Sequence, residues 1–254
     1  MFFKSFLSLC LFFSASLFYA QRPAPDVIAT KSGDITIQPI LHGTLVLKHD
    51  NKTIYVDPYG EAPAFKNIAR PDLILITDIH GDHLNEKTLD DISAEGIPII
   101  APKAVAEQIS EKYKKQVSTL NNDEKTKMFG IHITAIPMYN LPETPDAKHV
   151  KGRGNGYLLK MGDKRIYISG DTEDIPEMRA LENIDVAFVC MNLPYTMDIK
   201  QASNAVVDFK PAVVYPYHYR GNPDMSDTAA FKRLVNDKDD QIEVRLRNWY
   251  PDYE

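Results

Sequence analysis

The stretch Leu73-Ile-Leu-Ile-Thr-Asp-Ile-His-Gly-Asp-His83 decides the reading of this chain. Residues 73–77 form a short apolar run, which predicts a buried strand. The six residues after it hold four groups able to ligate a metal: Asp78, His80, Asp82 and His83. Asp78 and His80 are two apart, so in extended backbone they point the same way. Asp82 and His83 are adjacent and must diverge, which suits two neighbouring cations better than one. Gly81 offers the backbone freedom to turn between the pairs. Imidazole with carboxylate suits Zn²⁺ first, with Mn²⁺ or Fe²⁺ admitted. The bland alternative is a polar loop whose Asp82 caps a helix from Leu84 onward, but two His and two Asp exceed what a cap requires.

Outward from that stretch, strands and helices alternate. Strands are expected at 35–40, 44–48 and 53–56, the last ending at Asp57-Pro58. Helices are expected at 85–94 and 103–113, with a strand at 98–101 between them. A strand at 131–136 leads into Asn140 and a polar loop, 141–155, that suits a substrate-facing lid. The second half repeats this outline. A hairpin over 157–169 ends at Gly170-Asp171-Thr172, and strands at 186–191 and 212–215 are separated by a helix at 200–209. The strand at 212–215 ends at Pro216-Tyr-His218-Tyr. A helix near 175–181, a helix at 228–235 and a strand at 242–246 complete the pattern. Two β-rich halves with flanking helices predict an α/β fold with a sheet-on-sheet core.

Residues 1–20 read as a secretory signal peptide: basic Lys4, an apolar run from Phe6 to Phe18, then Tyr19-Ala20. This predicts a periplasmic or secreted protein, with residues 21–254 as one domain and no membrane span after the leader. The formal charge is −6, and the leader carries only Lys4, so removing it makes the chain more acidic. An acidic chain argues against nucleic acid as a partner. It leaves a small-molecule substrate open, phosphorylated ones included, because a metal site supplies positive charge locally. Cys10 leaves with the leader, so Cys190 has no intramolecular partner and reads as a buried strand residue.

Asp171 and His218 share with segment 78–83 a position at the end of a strand. Alone, each is an ordinary turn residue; three strand-end clusters together point to one site. In that order, Asp78-x-His80-x-Asp82-His83, Gly170-Asp171-Thr172 and His218 resemble the signature of the metallo-β-lactamase superfamily. The turn Ile166-Tyr-Ile-Ser-Gly-Asp-Thr-Glu-Asp-Ile-Pro-Glu-Met178 and the run Met191-Asn-Leu-Pro-Tyr195 resemble its L-ascorbate-6-phosphate lactonase-like branch.

The resemblance implies a four-layer αββα sandwich and a metal-dependent hydrolase acting on a lactone or phosphoester. It implies two divalent cations. Asp78, His80 and His149 would hold one, Asp82, His83 and His218 the other, with Asp171 between them and Asp82 in a catalytic role. Two positions depart from the signature. Asp78 stands where a His is usual, which hardens the site toward Mn²⁺ or Fe²⁺. Asn140 falls where an isolated His is usual, and His149 is the nearest replacement. Asn140, Tyr195 and Tyr217 are candidate pocket residues. Of the other histidines, His42 is expected behind the site, His49 in solvent and His132 in a structural role. A silent metal- or ligand-binding module, and a di-iron redox protein on the same fold, are the competing readings.

Overall fold

Residues 22–251 are described in a computed structural model. The leader assigned to residues 1–20 lies outside them. The first half supplies β1 (Asp26–Ile28), β2 (Ile35–Leu41), β3 (Thr44–His49), β4 (Lys52–Val56), β5 (Leu73–Leu75), β6 (Ile99–Ala101) and β7 (Val117–Thr119). These lie in chain order as one sheet, antiparallel from β1 to β4 and parallel from β4 to β7. The second half supplies β8 (Lys125–Met128), β9 (Ile131–Met138), β10 (Gly154–Met161), β11 (Lys164–Ile168), β12 (Val186–Cys190), β13 (Val213–Tyr217) and β14 (Glu243–Val244). They form a second sheet on the same plan, antiparallel from β8 to β11 and parallel from β11 to β14.

Side-chain alternation sorts the apolar residues into layers. Leu45 and Leu47, Ile54 and Val56, and Leu73 and Leu75 point into the core shared with the second sheet. Their neighbours Val46, Tyr55 and Ile74 point the other way, into a separate core. That outer core is closed by the elements around α1 (Glu61–Ala64), α2 (Glu86–Asp91), α3 (Lys103–Gln108) and α4 (Glu111–Lys114), through Ala64, Leu89, Val105 and Tyr113. Helices α5 (Pro176–Arg179), α6 (Ile199–Phe209) and α7 (Thr228–Asn236) pack with the second sheet through Met178, Val206 and Phe231. The result is the αββα sandwich.

Two differences from the sequence reading have plain causes. The expected helix 103–113 is two helices, because Ile109 and Ser110 are extended and the Glu86 carboxylate accepts the Ser110 N–H at 2.7 Å. Strands β7 and β8 escaped notice because they sit at sheet edges and bury little, so their sequences carry no apolar alternation. The sheets are tied where the site forms. Tyr157 Oη donates to the Ile76 carbonyl at 2.7 Å, and Asn155 N–H to the Thr77 carbonyl at 2.9 Å. Gly154 permits this approach, since a Cβ there would lie 2.9 Å from the Thr77 oxygen.

Candidate metal centre

Parallel pairing carries several strand ends to one edge of the sandwich. Asp57 follows β4, the segment 78–83 follows β5, Asp171 follows β11, Asn192 follows β12 and His218 follows β13. His149 arrives on the loop between β9 and β10. Three groups result whose ligand atoms lie within 4.8 Å of one another: Asp78 with His80 and His149, His83 with Asp171 and His218, and His42 with Asp82 and His218. Asp171 stands between the first two. Its Oδ2 is 3.4 Å from Nε2 of both His83 and His149, and its Oδ1 is 3.5 Å from Nε2 of His218. Asp82 Oδ2 lies 3.2 Å from the same His218 nitrogen.

The chemistry of these atoms tests whether a cation fits. Nε2 of His83, His149 and His218 and Oδ1 of Asp171 are buried and have no hydrogen-bond partner among the described residues. Leaving four such atoms unsatisfied is costly, whereas imidazole and carboxylate converging on one point are a cation's donors. The residues present therefore fit divalent metal ions.

The second group is held from behind by a residue the sequence reading passed over. Asp57 Oδ2 lies 2.9 Å from His83 Nδ1 and accepts the Thr77 hydroxyl at 2.6 Å, while its Oδ1 accepts the Thr77 N–H at 2.7 Å. A carboxylate on Nδ1 directs Nε2 toward the centre. Burial opposes a charge on His83, yet the Asp171 and Asp57 carboxylates raise its proton affinity well above the ordinary value. Burial likewise opposes charge on Asp171 and Asp82, and the surrounding imidazoles overcome it and hold both carboxyls low. Asp57, His42 and His218 all take positive φ, a costly conformation for residues with side chains that the packing around the centre imposes.

The first group is compensated differently. Asp78 is buried, and His80 Nδ1 approaches its Oδ2 at 2.5 Å. Arg153 spans the same carboxylate, with Nε to Oδ1 and Nη2 to Oδ2 both at 3.3 Å. Burial would raise the Asp78 carboxyl, but the hydrogen bond from His80 and the nearby imidazoles bring it down to about 2. Asn140 is buried and takes no place in the cleft lining; it holds His149. Its Oδ1 accepts the His149 N–H at 2.7 Å and faces Nδ1 at 3.2 Å, while its Nδ2 donates to the Tyr195 carbonyl at 2.9 Å. A carboxamide oxygen only accepts, so His149 Nδ1 carries the proton and Nε2 presents a lone pair to the centre.

Several expectations are corrected. Tyr217 is no pocket residue: it is fully buried among Phe188 and Trp249, and its hydroxyl accepts the Gly170 N–H at 3.1 Å. As the sequence reading holds, Asp82 does not cap the following helix; Asn85 does, accepting the Thr88 N–H at 2.9 Å. Gly81 is not needed for a left-handed turn, and a Cβ there would meet nothing within 4 Å. The glycine that matters is Gly43, where a Cβ would lie 3.3 Å from the His218 ring. His49 is buried against Ser32 and the Asp34 carbonyl instead of lying in solvent. His132 points outward from β9. His42 lies beside the site, its ring 5.1 Å from that of His218, and burial with that neighbour pushes it down to about 4. Cys190 is buried, its thiol donating to the Thr172 carbonyl at 3.4 Å.

Above the centre opens a cleft of about 350 Å³, bordered by His80, Asp82, Lys148, His149, Asn192 and Tyr195.

Fold and strand-end cluster together define a metallo-hydrolase scaffold, and comparison with known proteins agrees. The beta-lactamase superfamily domain matches residues 36–218. A UPF0173 metal-dependent hydrolase of Pyrococcus horikoshii is 35% identical over 201 residues, covering 74% of this chain and 87% of that protein. A crystal structure of a metal-dependent hydrolase from Parabacteroides distasonis superposes with a TM-score of 0.78 at 38% identity, covering 88% of this chain and 98% of that one. CmlA, a diiron β-hydroxylase of Streptomyces venezuelae, shares the fold at a TM-score of 0.64 and 19% identity, over 84% of this chain and 53% of that one. The chain belongs to the metallo-β-lactamase superfamily, in its UPF0173 family of metal-dependent hydrolases.

Proposed function

We propose that the protein hydrolyses a small molecule through two divalent cations held side by side. The observation that carries this reading is the set of buried, unpartnered atoms on His83, His149, His218 and Asp171. Asp78, His80 and His149 would hold one cation, and Asp82, His83 and His218 the other, with Asp171 between them. Zn²⁺ suits the imidazoles best, and the Asp78 carboxylate admits Mn²⁺ or Fe²⁺. When bound, such a pair lowers the pKa of water toward about 7 and polarises a carbonyl or phosphoryl oxygen.

The chain's own residues do the rest. Asp82 borders the cleft, and its side chain is one-third exposed, at 34%. It orients the attacking water, accepts its proton and passes it to the leaving group. Tyr195 also lines the cleft, where its hydroxyl can donate to oxygen charge that develops in the transition state. The lactonase-like resemblance of segments 166–178 and 191–195 supports a lactone or a phosphoester as substrate. The test is elemental analysis of protein from metal-replete growth, followed by turnover on lactone and phosphoester panels with added Zn²⁺, Mn²⁺ or Fe²⁺. About two cations per chain and chelator-sensitive turnover are expected. Protein that takes up no cation would refute the proposal.

A further inference from the structure

We propose that the cleft selects substrates bearing an anionic group, a carboxylate or a phosphate, and that Lys148 with Asn192 receives that group. This rests on the hydrolase reading and names its substrate class.

Lys148 is exposed on the loop before β10 and borders the cleft. Other cations of that loop are already paired: Lys151 with Glu143 and Glu177, and Arg153 with Asp78. Among the described residues, no carboxylate pairs with Lys148; its ammonium stands 5.8 Å from the centre of the Tyr195 ring. Its backbone is set in place, since Arg153 Nη2 donates to the Lys148 carbonyl at 2.6 Å and the adjoining His149 is pinned by Asn140. The ammonium is thus an exposed charge at the cleft border, without a counter-charge among the described residues.

Asn192 is the second, independent observation. It lines the cleft yet is only 3% exposed. Its Oδ1 accepts the Thr196 hydroxyl at 2.5 Å, which leaves the NH₂ as the group to face a ligand. An ammonium and an amide NH₂ on one cleft both donate, and neither suits an apolar or cationic substituent. The centre's charge admits the same class. With two divalent cations bound, the carboxylates of Asp57, Asp78, Asp82 and Asp171 are offset, so the centre does not repel an anion.

The test uses metal-loaded full-length protein and two probes, inorganic phosphate and glutarate, with binding followed by calorimetry. Lys148→Ala should weaken the preferred probe by about 10-fold to 100-fold, the loss of one hydrogen bond to a charged group. Lys148→Arg should restore most of it, and metal content should stay unchanged in both. Asn192→Ala should weaken the same probe by a smaller factor. A stronger effect on phosphate marks a phosphorylated substrate, and a stronger effect on glutarate marks a carboxylic acid. Unchanged binding of both probes in Lys148→Ala overturns the anion site. So does an equal rise in KM for a neutral lactone and its carboxylated analogue. Failure of the hydrolase reading looks different: no turnover of any substrate, with Lys148-dependent probe binding intact.

Discussion

The cluster around His83 and the cluster around Asp78 use the same residue types but are held by opposite means. In the His83 cluster the ligand atom is an imidazole nitrogen, and a carboxylate behind it, Asp57, orients the ring. In the Asp78 cluster the deeply buried group is itself a carboxylate, and a cation behind it, Arg153, offsets its charge. Each inner group therefore has a partner of complementary charge. The difference lies in what a proton or a metal meets. The His83 cluster is surrounded by negative charge and attracts a cation strongly, whereas Arg153 already satisfies part of the demand of Asp78.

Substitutions can break this comparison, beginning with the residue common to both clusters. Asp171→Asn should empty both positions, taking metal content from about two per chain toward none and turnover down about 1000-fold or more. Asp78→Asn should empty only the first, leaving about one metal and costing about 10-fold to 100-fold in turnover. Equal metal loss in the two variants would show that the clusters are not separable. Next in size is Asp57→Asn, which keeps every ligand but removes the carboxylate behind His83. Titration should find the second cation bound about 10-fold to 100-fold more weakly, with the first unaffected. Undiminished affinity would mean that packing alone orients that ring.

The smallest effect is on pH. Without metal, His83 has a raised proton affinity, so its protonated form stabilises the fold. That contribution is fully present below its unfolded value near 6.5 and is lost as pH rises through the higher folded value. Melting temperature of metal-free protein should therefore fall across that window, by at most about 1.4 kcal/mol per pH unit, or about 3–6 °C. Metal affinity should climb over the same range, since the cation displaces the proton. In Asp57→Asn the pH slope should shrink. A slope identical to that of the parent would assign the effect to another group.

Segment 78–83 was legible because its spacing is local: four donors within six residues at a strand end need no tertiary knowledge to look unusual. The repeated plan of the halves was legible for the same reason, as apolar runs and turns recur in order. The partners of the donors were not. Asp57 is 26 residues from His83, and Arg153 is 75 from Asp78, so no window of sequence contains either pair. Tyr217 misled because its neighbour His218 reaches the centre; consecutive strand residues face opposite ways, and only the sheet decides which faces inward. Asn140 read as a departure from a motif and is instead the residue that holds His149.

By itself, then, the sequence determined the superfamily plan and the donor types, because apolar periodicity and close-spaced His and Asp are properties of adjacent residues. Tertiary structure alone decided which donors converge, which carboxylate or guanidinium stands behind each, and that Lys148 borders the cleft without a counter-charge among the described residues. Those are matters of distance through space, set when parallel strands deliver their ends to one edge.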